Sequence, residues 1–556
     1  MKLKSIGFIL IIALVLGVSG ILVACSSGTE KQPVEIKKVS SIEDLKGLES
    51  SYDLWELTND IDASGVTDWT PITKFSGILD GKGFKISGLV INSESDNLGV
   101  FAELKGTVKD LTIEAEVTTE FGHDNVGILC GVNSGVIENV TCKGKVDSAM
   151  SSFVGGIAGK STNIKFTNCT NYADITGLDN VGGIVGHVTL DSVGTNENCI
   201  NYGDVIGRSG IGGVIGYVYD STGNGASKRV YTLSQCKNEG SVAGTNTKIG
   251  GIIGGYATKG GNYIYSINLA LSGCVNNGDS VTGASYVGGQ AGYVQLLSSM
   301  RNCVSKADVT ATGDYAGGYI GCFDHGIVEN AKNTKAVNGN AFVGGIAGKG
   351  MDFDGCENSG AVMANGYVTE GLKTSAYLGG IAGQGATFAN CKNTANILYT
   401  KAGGRVGGIV GYIYARDSFT VKANENSGNI SGATGVGGII GEAYSYISKY
   451  EDHEFTLIDN VNKGNVTASG DYVGGIMGLE DSGGYGSSAT AKAAYVKATR
   501  NRNEGNITGR ELVGGIIGLA NYGIKDTLVW ETNSNMGVIE GDNFTGAYYG
   551  AIYSEP

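Results

Sequence analysis

Apolar residues recur along this chain in short bursts closed by Gly, Asn, Asp or Ser, as in GGIVGHV, CINYGDVIG and FTVKA. Beyond the N-terminal segments no helical period persists over ten or more residues, so the bursts read as strands and the polar residues as turns. The bursts are themselves periodic. The pattern apolar-Gly-Gly-x-x-Gly begins at Val154, Val181, Ile211, Ile249, Val287, Ala316, Val343, Leu378, Val406, Val436, Val473 and Val513, with a degenerate copy at Val126. Successive starts lie 27 to 40 residues apart. Repetition at such a period predicts a solenoid. Three runs of about five residues plus turns fill roughly 28 residues, one coil of a parallel β-helix with coils about 4.8 Å apart. The expected fold is all-β: about sixteen coils forming a rod on the order of 75 Å long.

A second anchor keeps phase with the glycines. Cys142, Cys169, Cys199, Cys236, Cys274, Cys303, Cys356 and Cys391 are assigned to one coil position, with Ala331 in one unit and Asn from Asn424 onward. Two residues later stands another Asn, from Asn171 to Asn535, with Gly144 and Ser305 as exceptions. Identical residues stack well as Asn ladders, aliphatic columns and Gly corners, whereas a repeated like charge is penalised. Neighbouring cysteines in parallel register point the same way and offer poor disulfide geometry, so a column of buried thiols is expected.

Composition narrows the function. Gly accounts for 94 of 556 residues and Pro for 3, yet 41% of residues are hydrophobic, so the chain buries a core rather than remaining disordered. Charged residues are 17% with a net charge of −14 and no basic face, which argues against nucleic acid as a partner. At the N-terminus Lys2 and Lys4 precede an uncharged stretch from Ser5 to Cys25, the layout of an export signal. The residues Leu22-Val23-Ala24-Cys25 resemble the lipobox of bacterial lipoproteins. That resemblance implies cleavage before Cys25, a diacylglycerol thioether on Cys25 and an acylated new N-terminus. A plain transmembrane anchor is the other reading, and both place the remainder outside the cytoplasmic membrane. The expected division is a signal segment 1–25, a tether 26–39, a cap with the first coils 40–125, and the repeat helix 126–556. Within the cap, residues 40–49 read as a short helix with Ser40 and Glu43 as a capping box, placed to cover the first coil.

The stretch Tyr52–Ile91 together with the repeats resembles bacterial surface proteins carrying the GLUG motif. The matching residues are Tyr52, Leu54, Asp60, Ile61, Asp62, Trp69, Pro71, Ile72, Phe75, Gly77, Asp80, Gly81, Gly83, Ile86, Leu89 and Ile91. The resemblance implies a right-handed parallel β-helix on a cell surface, often adhesin-like, without implying one activity. Similar repeats precede the catalytic part of IgA-cleaving zinc metallopeptidases, but the chain lacks His-Glu-x-x-His and its four histidines have no ligand-like spacing.

The glycine motif is not a nucleotide loop, since it recurs twelve times without a following helix. Asp60 and Asp62 open a calcium-like loop whose twelfth position is Pro71 rather than Glu, so they read as turn residues. No metal or cofactor is expected. The enlarged units place aromatic residues after the glycine motif, on loops at one edge of the rod. These are Tyr217, Tyr219, Tyr231, Tyr256, Tyr263, Tyr265, Tyr412, Tyr414, Tyr444, Tyr446 and Trp530. Such a row suits stacking on sugars or anchoring a protein, and equally suits packing between loops. The sequence therefore points to a monomeric, lipid-anchored surface protein without enzymatic activity that binds an extracellular glycan or protein. The alternatives are a lyase or hydrolase on the same scaffold, with CFDHGIVEN at 322–330 as its nearest candidate, and a passive stalk.

Overall fold

The computed structural model describes residues 35–48, 53–162, 165–191, 195–222, 229–259, 267–366, 368–370, 373–415, 419–446, 453–483, 494–522 and 529–554. The chain divides into two compact units, Met1–Ile36 and Lys37–Pro556. Nearly all of the first, Cys25 included, lies outside the described residues.

The second unit is a parallel β-helix. One sheet stacks sixteen strands from Ile72–Phe75 to Tyr549–Ser554, one per coil, which matches the expected coil number. A second sheet stacks the glycine-motif strands from Val126–Gly127 to Asn543–Gly546. The remaining face is broken into short runs that merge in the long strands Thr107–Thr118 and Val136–Asp147. A representative coil reads Asp179–Gly182, Val185–Leu190, Thr195–Glu197, Ile200–Asn201 and Val205–Gly207. Strands of two to six residues fit the bursts of the sequence. Stacking is in register, as in Val154, Val181, Ile211 and Ile249, so each apolar position becomes a buried aliphatic column.

The asparagines form the polar spine of this core. Asn171 Nδ2 donates to Asn201 Oδ1 at 2.8 Å, Asn201 to Asn238 at 2.8 Å and Asn238 to Asn276 at 2.9 Å. After Ser305 the ladder resumes at Asn333 and continues through Asn358, Asn393, Asn426, Asn462 and Asn503 to Asn535. Each side chain also bonds its own turn, Asn201 Nδ2 meeting Gly203 O at 2.7 Å. A buried amide costs little only when its groups are paired, and this ladder pairs them. The glycine motif exists to make room for it. A Cβ on Gly183 would sit 2.2 Å from Asn201 Cγ and 2.2 Å from Gly213 O, so the second glycine is fixed by close approach.

The thiol column holds seven cysteines, not eight. Cys142 pairs with Asn171 and so heads the asparagine column, while Val140 occupies the rung before Cys169. The cause is local: every rung has one left-handed residue before its thiol position, Asn139 in one coil and Asn168 in the next. Cys169 follows that residue by one, whereas Cys142 follows it by three. All ten described cysteines are buried free thiols, and Cys169 Sγ donates to Thr167 O at 3.3 Å. Where cysteine gives way, Asn424, Asn460, Asn501 and Asn533 build a second amide ladder.

At the N-terminal end the helix is shorter than expected, Ile42–Lys46, and its capping box is Ser41 with Asp44 rather than Ser40 with Glu43. Asp44 is selected because its carboxylate accepts from the amides of both Ser40 and Ser41, at 2.9 and 3.1 Å. Leu45 and Leu48 are fully buried in the main core. Trp69 is buried, with Nε1 donating to Val100 O at 3.2 Å. Asp60 and Asp62 accept from the amides of Lys85 and Ser64, both at 2.9 Å, the turn role expected of them.

Candidate functional site

Two outward positions lie side by side where the glycine-motif sheet meets the sixteen-stranded sheet. The first immediately precedes the motif: Phe153, Lys248, Tyr286, Tyr315, Phe342, Tyr377 and Arg405. The second lies six residues after the motif's apolar start: Lys160, His187, Tyr217, Gly255, Tyr293, Cys322, Lys349, Gln384, Tyr412 and Glu442, successive partners along the stack. Their side chains interleave into one aromatic seam.

Ring centroids track the seam coil by coil. Phe153 to His187 is 4.9 Å and His187 to Tyr217 is 6.0 Å. Lys248 Nζ lies 5.1 Å from the Tyr217 ring and 5.5 Å from the Tyr293 ring. Tyr293 meets Tyr286 at 5.6 Å, and Tyr286, Tyr315, Phe342, Tyr377 and Tyr412 follow at 4.8, 4.7, 4.9 and 4.6 Å. Tyr414 and Tyr444 extend it at 6.4 and 5.8 Å. Ten successive coils contribute, a span of about 43 Å at the coil rise. Most of these rings are half-buried, and Tyr315, Phe342 and Tyr377 each lie between two neighbouring rings.

The seam is built against local backbone preference. Phe153, Tyr286 and Tyr315 hold φ of 59°, 57° and 66°, a left-handed conformation unfavourable for bulky side chains. Other coils fill the same position with Asn125, Asn180, Gly210 or Gly435, which adopt it readily. Lys248 and Leu512 hold the same conformation at φ 67° and 57°, so the left-handed turn belongs to the coil corner and the aromatic side chains are carried on it.

Midway along the seam is a groove of about 300 Å³ lined by Lys248, Tyr286, Tyr293, Tyr315, Cys322, Asp324 and Lys349. Tyr293 Oη donates to Asp324 Oδ2 at 2.6 Å. Burial, with the Asp324 hydrogen bond, pushes the Tyr293 phenol up, so it stays protonated. Burial pushes the Cys322 thiol up to about 12, so it too is neutral. Burial also pulls the Lys248 ammonium down. Asp324 is the carboxylate of the groove; two-carboxylate glycoside hydrolysis needs a facing pair. A larger hollow of about 660 Å³ near Lys46, Pro71 and Lys74 carries no aromatic wall among its lining residues.

The sequence-predicted aromatics divide into three sets. Tyr217, Tyr219, Tyr412, Tyr414 and Tyr444 face outward, but on the regular strands Ile215–Asp220, Val410–Ala415 and Ile440–Tyr446 rather than on loops. The enlarged units lengthen these strands before any loop begins. Tyr231 and Tyr256 are wholly buried and belong to the core, because they occupy inward positions of the strands Arg229–Ser234 and Ile253–Thr258. Tyr263 and Tyr265 lie outside the described residues, as do the side chains of Tyr446 and Trp530. Sequence reasoning missed Tyr286, Tyr293, Tyr315, Phe342 and Tyr377. Their signal was available as an aromatic residue directly before four successive motifs, YVGG, YAGG, FVGG and YLGG. CFDHGIVEN contributes Cys322 and Asp324 to the groove.

No family model matches the chain. Halomucin of Haloquadratum walsbyi is 34% identical over 155 residues, covering 24% of this chain and 2% of that protein. A "Putative Gly-rich membrane protein" of Evansella cellulosilytica is 30% identical over 131 residues, covering 21% of this chain and 15% of the relative. The chain thus spans a small fraction of the curated relatives it matches. A solved structure titled as a "putative immunoglobulin A1 protease" from Bacteroides ovatus aligns over 81% of this chain and 85% of its own. Its identity is 14% and its TM-score 0.19, a likeness that carries no argument.

Proposed function

We propose that the chain is an exported surface protein, lipid-anchored through Cys25, whose β-helix binds an extracellular glycan or glycosylated protein along the aromatic seam. The observation that carries this reading is the seam itself: rings from nine of ten successive coils packed against one another, with Lys248 bridging the tenth and several rings held in a backbone conformation they disfavour. The ring edges and hydroxyls form a continuous, rigid apolar strip that can cover the C–H face of a pyranose with little loss of side-chain entropy. The names of the partial relatives, Halomucin and a putative Gly-rich membrane protein, agree with an extracytoplasmic setting. The Leu22–Cys25 lipobox supports anchorage.

The test is a glycan and host-protein binding screen with the full chain. A Tyr377→Ala/Tyr412→Ala double variant is expected to weaken any detected binding about tenfold or more, the scale of losing two stacked contacts. Unchanged binding in a variant with an unchanged circular dichroism spectrum rejects the seam as the binding surface. Metabolic labelling with palmitate is expected to mark the chain, and Cys25→Ala is expected to abolish the label.

A further inference from the structure

The groove at the middle of the seam differs from the rest of it in charge. Towards the C-terminal end of the seam one pair of these positions brings a cation to a carboxylate. Arg405, directly before its motif, pairs with Glu442, six residues after the start of the following motif. Lys248 and Tyr293 occupy the equivalent pair of positions five coils earlier in the chain. There the ammonium lies over an aromatic ring at 5.5 Å instead of against a carboxylate. Among the described residues neither Lys248 nor Lys349 enters an ion pair, although the chain carries 54 acidic and 40 basic side chains. A half-buried ammonium without a counter-ion is costly, and the cost is relieved by an anion supplied from outside.

The other walls define what that anion is attached to. Tyr286 and Tyr315 stack at 4.8 Å with an interplanar angle of 9° and extend the seam's platform into the groove. Asp324, oriented by the Tyr293 hydroxyl, keeps acceptor capacity for hydroxyl donors and repels a multiply charged phosphate. Cys322 occupies a rung between Tyr293 and Lys349, and its short side chain leaves the depression open. Two cations, a wall of aromatic edges and one hydroxyl-accepting carboxylate together fit a ring that bears both a carboxylate and hydroxyl groups.

We infer that this groove is a subsite for a carboxylate-bearing pyranose, a uronate or sialate unit of a glycan. The inference rests on the glycan-binding reading of the seam and names the chemistry of one of its positions. Lys248 and Lys349 receive the sugar carboxylate, Asp324 accepts from ring hydroxyls, and the edges of the Tyr286 and Tyr315 rings line the apolar side of the sugar.

The test is a titration of the full chain with oligogalacturonate and its methyl ester, and with sialyllactose and lactose, at low and high salt. At least one acidic probe is expected to bind about tenfold or more tightly than its neutral counterpart, with the preference shrinking at high salt. Oligogalacturonate alone or sialyllactose alone assigns the source. Lys248→Met/Lys349→Met is expected to erase the acidic preference, and Lys248→Arg/Lys349→Arg to keep part of it. Cys322→Tyr, an outward substitution that fills the depression, is expected to remove acidic binding without loss of fold. Equal affinity for acidic and neutral probes overturns the subsite, as does a preference that survives the double Met change. Binding of some other glycan that is sensitive to Tyr377→Ala/Tyr412→Ala, with no acidic preference, leaves the seam reading standing and rejects only the subsite. Release of an unsaturated uronate product also rejects it, replacing capture by elimination chemistry.

Discussion

At the scale of single residues, the molecule separates positions that hold the coil from positions that build the outward seam. Asn358 receives an amide hydrogen bond from Asn333 and donates one to Asn393, both at 2.9 Å, inside a sealed core. Asn358→Leu is expected to lower stability by about 2–3 kcal/mol, because two neighbours lose partners they cannot replace with water; urea denaturation measures it. The reverse trade holds in the seam. Tyr315→Asn replaces an aromatic residue at φ 66° with one that tolerates it, as Asn125 and Asn180 do. It is expected to raise or leave unchanged the denaturation midpoint while weakening ligand binding. A loss of both would assign Tyr315 to packing alone. The thiols set a pH limit. Burial raises Cys130, Cys142 and Cys391, and hydrogen bonding between neighbouring thiols together with burial raises Cys199, Cys236 and Cys274, above their unfolded values, so the folded state holds more protons as pH rises. Their contribution is complete below about pH 8.5, and stability declines above it as the unfolded thiols ionise. The buried thiols are expected to resist thiol reagents in the native state and to react on unfolding.

At the scale of elements, ion pairs between coils matter according to burial. Glu442 is 6% exposed and paired with Arg405. Arg405→Leu is expected to cost about 2–4 kcal/mol by leaving that carboxylate buried, whereas Arg510→Ala, whose arginine is largely exposed against Asp471, is expected to cost less than about 1 kcal/mol. Denaturation of both variants at two salt concentrations separates them. The same scale shows what the sequence reveals of the fold. The apolar-Gly-Gly-x-x-Gly register predicts the stacking of Val154 on Val181 because identical residues at one period occupy identical places. It misplaces Cys142 because counting from the glycines assumes every coil has the same corners, and the unbroken strand Val136–Asp147 does not. It misses most of the seam because Tyr377 and Tyr412 touch across two coils while standing 35 residues apart in different parts of their units. Side-chain convergence between two columns is invisible to a comparison of like positions. Tyr231 and Tyr256 were read as exposed for a related reason: alternation along an extended strand reverses the face at every residue.

At the scale of the whole β-helix, the unit of length is the coil. Tyr377 pairs with Arg405 and Leu378 with Val406, so deleting Leu378–Arg405 joins equivalent points of adjacent coils. That deletion is expected to yield a folded protein one rung shorter, whereas a deletion one residue shorter turns every downstream side chain to the wrong face and is expected to prevent folding. Circular dichroism and small-angle scattering distinguish the two. The in-register bonds that permit such editing also point along the axis of the helix. A load applied at the C-terminal end, as on a tether under flow, acts on one rung at a time rather than on all rungs together. Each rung that yields releases 27 to 40 residues of chain, about 90 to 140 Å when extended, and leaves the next coil intact. The protein would then behave under tension as a reel: it lengthens in steps, dissipates work at each one, and keeps the remaining seam in contact while it pays out.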